Sequence, residues 1–394
     1  MDETEHHDFI ESLTDTVEDI LSNSEPLFYH HYHFDDYVRQ ESYLHFQSIM
    51  DDDEFEKKYN ACIEDIFLNK NITKRSFLES DHRFDHSKDY SEHIQYLKDI
   101  PQPTQRTPEW YAFRKNHLTG SNAWKAFGTQ SSKNQLICEK LEPPDPTKSY
   151  NNLSESPLNW GHKYEPLSIL FYEHFNDVVV EEFGCIPHAS IPFLAASPDG
   201  IVTSRKNNGR MVEIKNVVSR EITKIPKMEY YIQMQVQMEV CNLPDCDFVE
   251  TKFIEYENEK AFREDKYELK KGMIMVLIKD NSSYIYEYSP LFKNHEKELD
   301  SFCDSIFQKY NLDNPQEEEN GVRWFRNIYW KLDTFSCVYV PRNEKWFAGA
   351  LVEMDTLWKI IESEKANTDA YLKYKPKKQN KNTEKSCKMM EVHL

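Results

Sequence analysis

The 394-residue chain has no apolar run approaching the roughly 18 residues of a membrane span. It opens on the acidic stretch MDETEHHDF, where an export signal would be basic and then apolar. Both absences predict an intracellular, soluble protein with no membrane association. The eight cysteines, Cys62, Cys138, Cys185, Cys241, Cys246, Cys303, Cys337 and Cys387, form no C-x-x-C pair. That spacing argues against a disulfide frame and against a zinc or iron–sulfur centre built from close pairs. Apolar residues are scarce, at 39% with a mean hydropathy of -0.77, but 23 Phe, 23 Tyr and 7 Trp supply bulky core material and argue against wholesale disorder. There is no internal repeat.

Positive charge is also short, with a net charge of -20. The deficit is local: residues 1–100 carry 25 acidic and 9 basic side chains, whereas residues 101–230 carry 14 and 15. The middle of the chain can therefore present a basic groove to phosphates despite the acidic total.

Apolar positions 9, 10, 13, 17, 20 and 21 have helical spacing, and a second helical stretch runs from about Tyr37 to Leu68, broken at DDDEFE. Residues 1–100 read as an acidic, mainly helical N-terminal extension that PQPTQRTP (101–108) ends as a linker. Within the extension, FYHHYHFDD offers His30, His31, His33, Asp35 and Asp36. Their spacing is not helical and no second ligand group is visible, so a solvated loop is the reading over a metal site. Thr107 and Pro108 predict a helix cap and first turn, and after Thr119-Gly120 a second helix opens with Ser121 as its cap. Residues 160–175 predict an amphipathic helix with Trp160, Tyr164, Leu167, Phe171 and Phe175 in one stripe, Pro166 being tolerable in its opening turn.

Strands are expected at 178–186, 192–204 and 210–218, the last two joined by the hairpin turn RKNNG. A helix is expected over 227–241, then strands CDFVETKFIEY, MIMVLI and SYIYEYS, with helices near 295–310 and 350–365. One α/β domain with a central mixed sheet flanked by helices follows, over residues 101–368. Residues 369–394 read as a lysine-rich, disordered tail.

Residues two apart on a strand share a face, so Glu213 and Lys215 point one way and Val212 and Ile214 the other. An ion pair on a wet face is the plain reading. The hairpin, however, can fold Asp199 back beside Glu213, and Glu165 lies on a helix whose other face is apolar. Adjacent carboxylates repel unless a proton or a divalent cation lies between them, and three carboxylates with waters suit Mg²⁺. Lys215 could then orient or activate an attacking water.

Asp199 after a proline, followed by Glu213-Ile214-Lys215, resembles the PD-(D/E)XK (restriction-endonuclease-like) nuclease signature. EWYAFRKNHLTGS, WGHKYEP, AASPDG and YYIQMQVQM, in that order, resemble the successive motifs of the lambda-exonuclease type of viral recombinase nuclease, also called YqaJ-like. The resemblance covers about residues 105–255, and the composition looks like that of a large DNA virus protein. It implies that Glu165, Asp199 and Glu213 hold a metal with the Ile214 carbonyl, that Lys215 is the catalytic lysine, and that Gln233 and Tyr230 accompany it. It implies that Arg114, Ser121 and Ser197 grip a terminal 5′-phosphate. A helix start at Ser121 and a bidentate arginine would suit an anion independently. Asn216 and Val217 depart from the Cys-Pro of many relatives, and the N-terminal extension has no counterpart in the smallest ones, so their trimeric ring is not assumed.

The expectation is therefore a Mg²⁺-dependent hydrolase, with Mn²⁺ as a substitute and no iron–sulfur cluster. It would degrade linear duplex DNA from the 5′ end, in recombination, repair or foreign-DNA degradation. Implied partners are DNA ends, a homodimer or homotrimer, and a single-strand annealing protein or helicase; a viral origin would place it in the host cytoplasm. The alternatives are an endonuclease or Cas4-like end-trimming nuclease without the cluster, and a non-catalytic DNA-end or recombination-partner binding module.

Overall fold

The computed structural model describes residues 3–23, 34–47, 53–69, 88–105, 107–143, 157–223, 226–265, 270–280, 283–293, 295–312 and 321–375. Histidines 30, 31 and 33 lie outside them, as do residues 376–394. Helices α1 (Glu3–Asn23), α2 (Phe34–Gln47) and α3 (Asp53–Asn69) realise the N-terminal periodicity. They enclose their own core, in which Leu13, Val17, Val38, Tyr59 and Ile63 are buried. α4 (Ser91–Asp99) falls within the stretch assigned to the extension, but its Ile94 and Leu97 belong to the main core. Residues 101–105 are packed too: the Gln102 side chain accepts from the Gly184 amide, and the Pro103 carbonyl accepts from that of Cys185.

α5 (Pro108–Lys115) starts at the expected cap, Thr107 Oγ1 accepting from the Trp110 amide. The two-residue β1 (Leu118–Thr119) and one-turn α6 (Gly120–Ala123) follow, then a 3-10 turn and α7 (Gln130–Leu141). α8 (Pro157–Asn176) begins earlier than its apolar stripe suggested. Pro166 therefore sits inside the helix rather than in its opening turn, interrupting the backbone ladder one residue after Glu165.

β2 (Val180–Glu181), β3 (Ile186–Pro187), β4 (Leu194–Ala196), β5 (Gly200–Val202) and β6 (Met211–Asn216) come next. α9 (Met228–Cys241), β7 (Asp245–Glu255), α10 (Glu259–Glu264), β8 (Lys271–Lys279) and β9 (Ser283–Tyr288) continue the chain. α11 (Glu296–Tyr310), β10 (Val322–Pro341) and α12 (Glu344–Glu364) complete it. The main sheet has the order β2-β5-β6-β7-β10-β8-β9, with β6 parallel to β7 and its other neighbours antiparallel. A small sheet, β1-β4-β3, stands beside it. α9 and α12 share one core with one face of the main sheet, and α8 packs on the other through Tyr164, Leu167, Phe171 and Tyr172. This is the α/β fold with a central mixed sheet flanked by helices expected from the sequence.

Three readings are corrected. Residues 192–204 are not one strand: β4 and β5 lie in different sheets, because Pro198 has no amide to continue a ladder and turns the chain at the corner Ser197-Pro198-Asp199. β10, a 20-residue strand between β7 and β8, was not expected at all. Register shifts at Trp324/Arg326 and Leu332/Thr334 reset its alternation twice, hiding a period-two pattern. Residues 369–375, assigned to a disordered tail, contain a 3-10 turn that buries Ala370 and packs Tyr374 on the main core. Among the described residues no helix is long and apolar enough to cross a membrane, and the seven cysteines are free thiols.

Candidate active site

The hairpin between β5 and β6 turns tightly at Asn207 and Gly209, both with positive φ, and a Cβ on Gly209 would meet the Tyr90 ring at 2.8 Å. Only glycine fits that contact and that backbone. β5 pairs with β6 at Ile201–Met211 and Gly200–Val212, and one step on the backbone ladder is replaced by a side chain. Asp199 Oδ2 accepts the Ile214 amide at 2.7 Å. Val217 gives its amide to Thr251 of β7, so alternation turns the Ile214 amide and carbonyl towards the Asp199 edge.

As expected, β6 divides its side chains. Val212 and Ile214 join the apolar cluster under α8, whereas Glu213 and Lys215 face α9. Glu213 is 0% exposed. One of its carboxylate oxygens is ion-paired with Lys215 and the other accepts from Gln237 Nε2 at 2.8 Å. The Lys215 ammonium also donates to Gln233 Oε1 at 3.3 Å and lies 4.9 Å from the centre of the Tyr230 ring. The amide stripe of α9 is thus a buried lining of the site, not a solvated face.

Burial first, then the charges of Glu213 and Glu165, push the Asp199 carboxyl well above the usual carboxylate range. Burial opposes the Lys215 charge, but Glu213 and Asp199 outweigh it and hold the ammonium above its ordinary pKa. Glu213 and Glu165 therefore both act on Asp199, and Lys215 is a counter-charge to Glu213 and Asp199. Among the described residues no three His, Cys, Asp or Glu side chains already converge tightly enough to enclose an ion. The donor set nevertheless fits a hard cation: Glu165, Asp199, Glu213 and the Ile214 carbonyl are all oxygen donors, and excess negative charge is what a divalent ion relieves. Gln237 Oε1, buried beside Glu213, has no hydrogen-bond donor among the described residues.

The 5′-phosphate candidates also come together. The Arg114 guanidinium donates to Ser121 Oγ at 2.7 Å and stacks 4.2 Å from the centre of the Trp110 ring. Trp110 Nε1 donates to Ser197 Oγ at 3.4 Å, and Ser197 Oγ donates to the Gly184 carbonyl at 3.0 Å. Arg114 has no carboxylate partner among the described residues, and burial lowers its pKa. Ser121 is not a helix cap: Thr119 caps α6 in a reciprocal box with Asn122. With a single turn behind it the helix dipole is small, and the arginine carries the attraction.

Both clusters meet on α9. Gln237 Nε2 reaches the Ser197 carbonyl at 3.4 Å as well as Glu213. A Cβ on Gly120 would lie 3.0 Å from the Gln233 carbonyl and 3.3 Å from Gln237 Cγ, so α6 rests directly on the helix that supports Lys215. Sequence reasoning did not foresee Trp110 as the platform under Arg114, nor the role of Asn216. The Asn216 side chain donates to the Gly161 carbonyl at 3.0 Å and accepts from the Ser168 and Thr251 hydroxyls, both at 2.7 Å. It ties β6 to α8 on either side of Glu165. Its position straight after Lys215 was the available signal.

Residues 109–244 match the YqaJ-like viral recombinase domain. The chain is 26% identical over 310 residues to an uncharacterised protein of Acanthamoeba polyphaga mimivirus, covering 68% of this chain and 54% of that protein. It therefore spans about half the length of the curated relative it matches. Solved structures similar to it include an alkaline exonuclease from Laribacter hongkongensis, at 20% identity and a TM-score of 0.37, covering 68% of this chain and 96% of that one. The same enzyme in complex with dAMP gives 20% identity and a TM-score of 0.38, with 68% and 98% coverage. A phage-related exonuclease from Haemophilus somnus gives 13% and 0.34, with 64% and 96% coverage.

Proposed function

We propose that this chain, which carries a YqaJ-like viral recombinase domain over residues 109–244, is a metal-dependent DNA exonuclease that degrades linear duplex from a 5′-phosphorylated end. One observation carries the reading. The anion-seeking cluster of Arg114, Ser121 and Ser197 is joined through Gln237 to the carboxylates and lysine on β6, so an end-binding pocket adjoins the chemistry. Such an arrangement favours cutting at an end over cutting within a strand.

Glu165, Asp199, Glu213 and the Ile214 carbonyl would hold Mg²⁺ or Mn²⁺. When bound, the ion supplies charge that draws a phosphate oxygen and acidifies a water. Lys215 orients the attacking water and offsets negative charge developing on the phosphate. Gln233 and the Tyr230 face hold the ammonium in place, and Arg114 with the two serines fixes the terminal phosphate and so the register of the scissile bond.

The test uses linear duplex labelled at the 5′ or 3′ end, with 5′-phosphate or 5′-hydroxyl termini, beside closed circular DNA, in Mg²⁺, Mn²⁺ or EDTA. Early release of the 5′ label from phosphorylated duplex, an intact circle and silence in EDTA are expected. Cleavage of the circle would turn the reading to an endonuclease, and metal-independent binding without cleavage to a DNA-end binding module.

A second expectation concerns Asn216. Replacing it with alanine removes the tie between β6 and α8, and outer partners of metal ligands are typically worth about 10- to 100-fold in metal affinity. Titration of activity with Mg²⁺ should show the half-saturating concentration rising about tenfold, with a smaller loss at saturation. An unchanged titration would make Asn216 a packing residue only.

A further inference from the structure

We propose that Lys140 is a second cation of the end-phosphate pocket and positions the 5′-phosphate together with Arg114. The proposal rests on the end-phosphate reading above and adds to it a residue that no sequence motif marked. Lys140 lies in the last turn of α7, and its side chain is almost entirely enclosed at 7% exposed. Its ammonium donates to the Arg114 carbonyl oxygen at 2.7 Å. That bond uses one of three donors, and the other two have no partner among the described residues.

Lysines are almost never this buried unless paired with a carboxylate. No carboxylate pairs with this one among the described residues. Glu139, the nearest acidic group on its own helix, is held at 2.7 Å by Lys125. The other groups that face Lys140 are Arg114 and His117 from α5 and the turn after it, Lys125 from the 3-10 turn, and Cys185 from the segment beside Ser197. His117 is pushed down by burial and is neutral above its ordinary range, and the Cys185 thiol is pushed up to about 11 by burial and stays protonated. The half-buried Arg114 and the enclosed Lys140 thus act on one another without a carboxylate paired to either among the described residues.

That arrangement opposes folding unless something negative arrives. Two like charges repel at short range, and Lys140 has lost its water without gaining a counter-ion. A methionine would fill the same space beside the buried Leu136 and Ile137 without either penalty. The repulsion is relieved by a ligand with two negative charges and several acceptor oxygens, which is what a terminal phosphate offers above its second pKa near 6. Cys185, which faces Lys140, directly follows Gly184, whose carbonyl receives the Ser197 hydroxyl. In the free protein, burial and then the Arg114 charge lower the Lys140 ammonium to about 7. It is charged below that pH and loses its proton above it, so its hold on a phosphate weakens as pH rises.

The experiment measures steady-state kinetics of the full chain in Mg²⁺ on linear duplex with 5′-phosphate or 5′-hydroxyl ends, from about pH 6.5 to 9. Wild type, Lys140→Met and Lys140→Arg are compared. The expected result is a roughly tenfold loss of the phosphate-over-hydroxyl ratio of kcat/KM in Lys140→Met, as for one hydrogen bond to a charged group, carried by KM rather than kcat. Lys140→Arg should recover most of it. The wild-type ratio should decline above about pH 7, and the Lys140→Met ratio should show no such decline. Should Lys140→Met fail to fold, the wild-type profile decides alone, a ratio flat over the whole range overturning the proposal. Wild-type preference retained in full by Lys140→Met overturns the role of Lys140 and leaves the pocket standing. A wild type indifferent to the 5′ group overturns the end-phosphate reading and this inference with it.

Discussion

Lys215→Ala is expected to reduce turnover of linear DNA by about 10³-fold, within the roughly 10²- to 10⁴-fold contributed by a positioned proton-transfer or charge-stabilising group. The KM for DNA should change little, because in the proposed function Arg114, Ser121 and Ser197 would hold the end while Lys215 would act on the water and the developing charge. A stability effect accompanies this. Glu213 has no exposed surface, and Lys215 is its ion-pair partner; removing one member of a buried pair typically costs about 3–5 kcal/mol. A lower Tm alone would therefore not separate chemistry from folding. The double variant Glu213→Gln with Lys215→Met does separate them. The amide introduced in place of the Glu213 carboxylate can still accept from Gln237, the Glu213–Lys215 pair is removed as a whole, and Tm should return towards wild type while activity stays absent. Circular dichroism and binding of labelled duplex provide the controls. Wild-type turnover in Lys215→Ala, or activity regained by the double variant, would remove Lys215 from the mechanism.

The legible part of this protein is its local chemistry. The face-sharing of Glu213 and Lys215 follows from strand periodicity, and the Asn-Asn-Gly turn foretold that Asp199 would return to the β6 edge. The Thr107-Pro108 helix start and the α9 helix were readable for the same reason: each is fixed by neighbours within a few residues. What escaped depends on distant partners. β10 sits between β7 and β8, yet its two register shifts break the alternation that marks a strand. Pro198 splits one apparent strand between two sheets, which becomes visible only when both sheets exist. In the site, Tyr230, Gln233 and Gln237 could be placed on one face of α9 from sequence, but whether that face met water or carboxylates required β6 beneath it. The pairing of Arg114 with Lys140 was beyond reach, since a lysine in a helix reads as solvated until the surrounding helices enclose it.

Asp199→Asn should abolish cleavage and, in EDTA, make the protein more stable. Both results have one cause. Asp199 is pressed by the charges of Glu213 and Glu165 in a buried setting, a repulsion that a bound cation would relieve. Asparagine keeps the acceptor for the Ile214 amide and removes the charge, so the β5–β6 corner retains its closure while the repulsion falls. In a domain of this size each kcal/mol relieved raises Tm by about 2–4 °C. Mg²⁺ should then raise the wild-type Tm, because a ligand that binds only the folded state stabilises it by mass action. The same addition should leave Asp199→Asn nearly unmoved. Differential scanning fluorimetry in EDTA and in Mg²⁺, beside the labelled-duplex assay, reads all three effects. A variant that melts below wild type in EDTA would mean that Asp199 is held by favourable contacts and not by a tolerated repulsion, and a variant with wild-type activity would mean that the ion lies elsewhere. The expected combination, stability gained as activity is lost, is the mark of a charge kept for function at the expense of the fold.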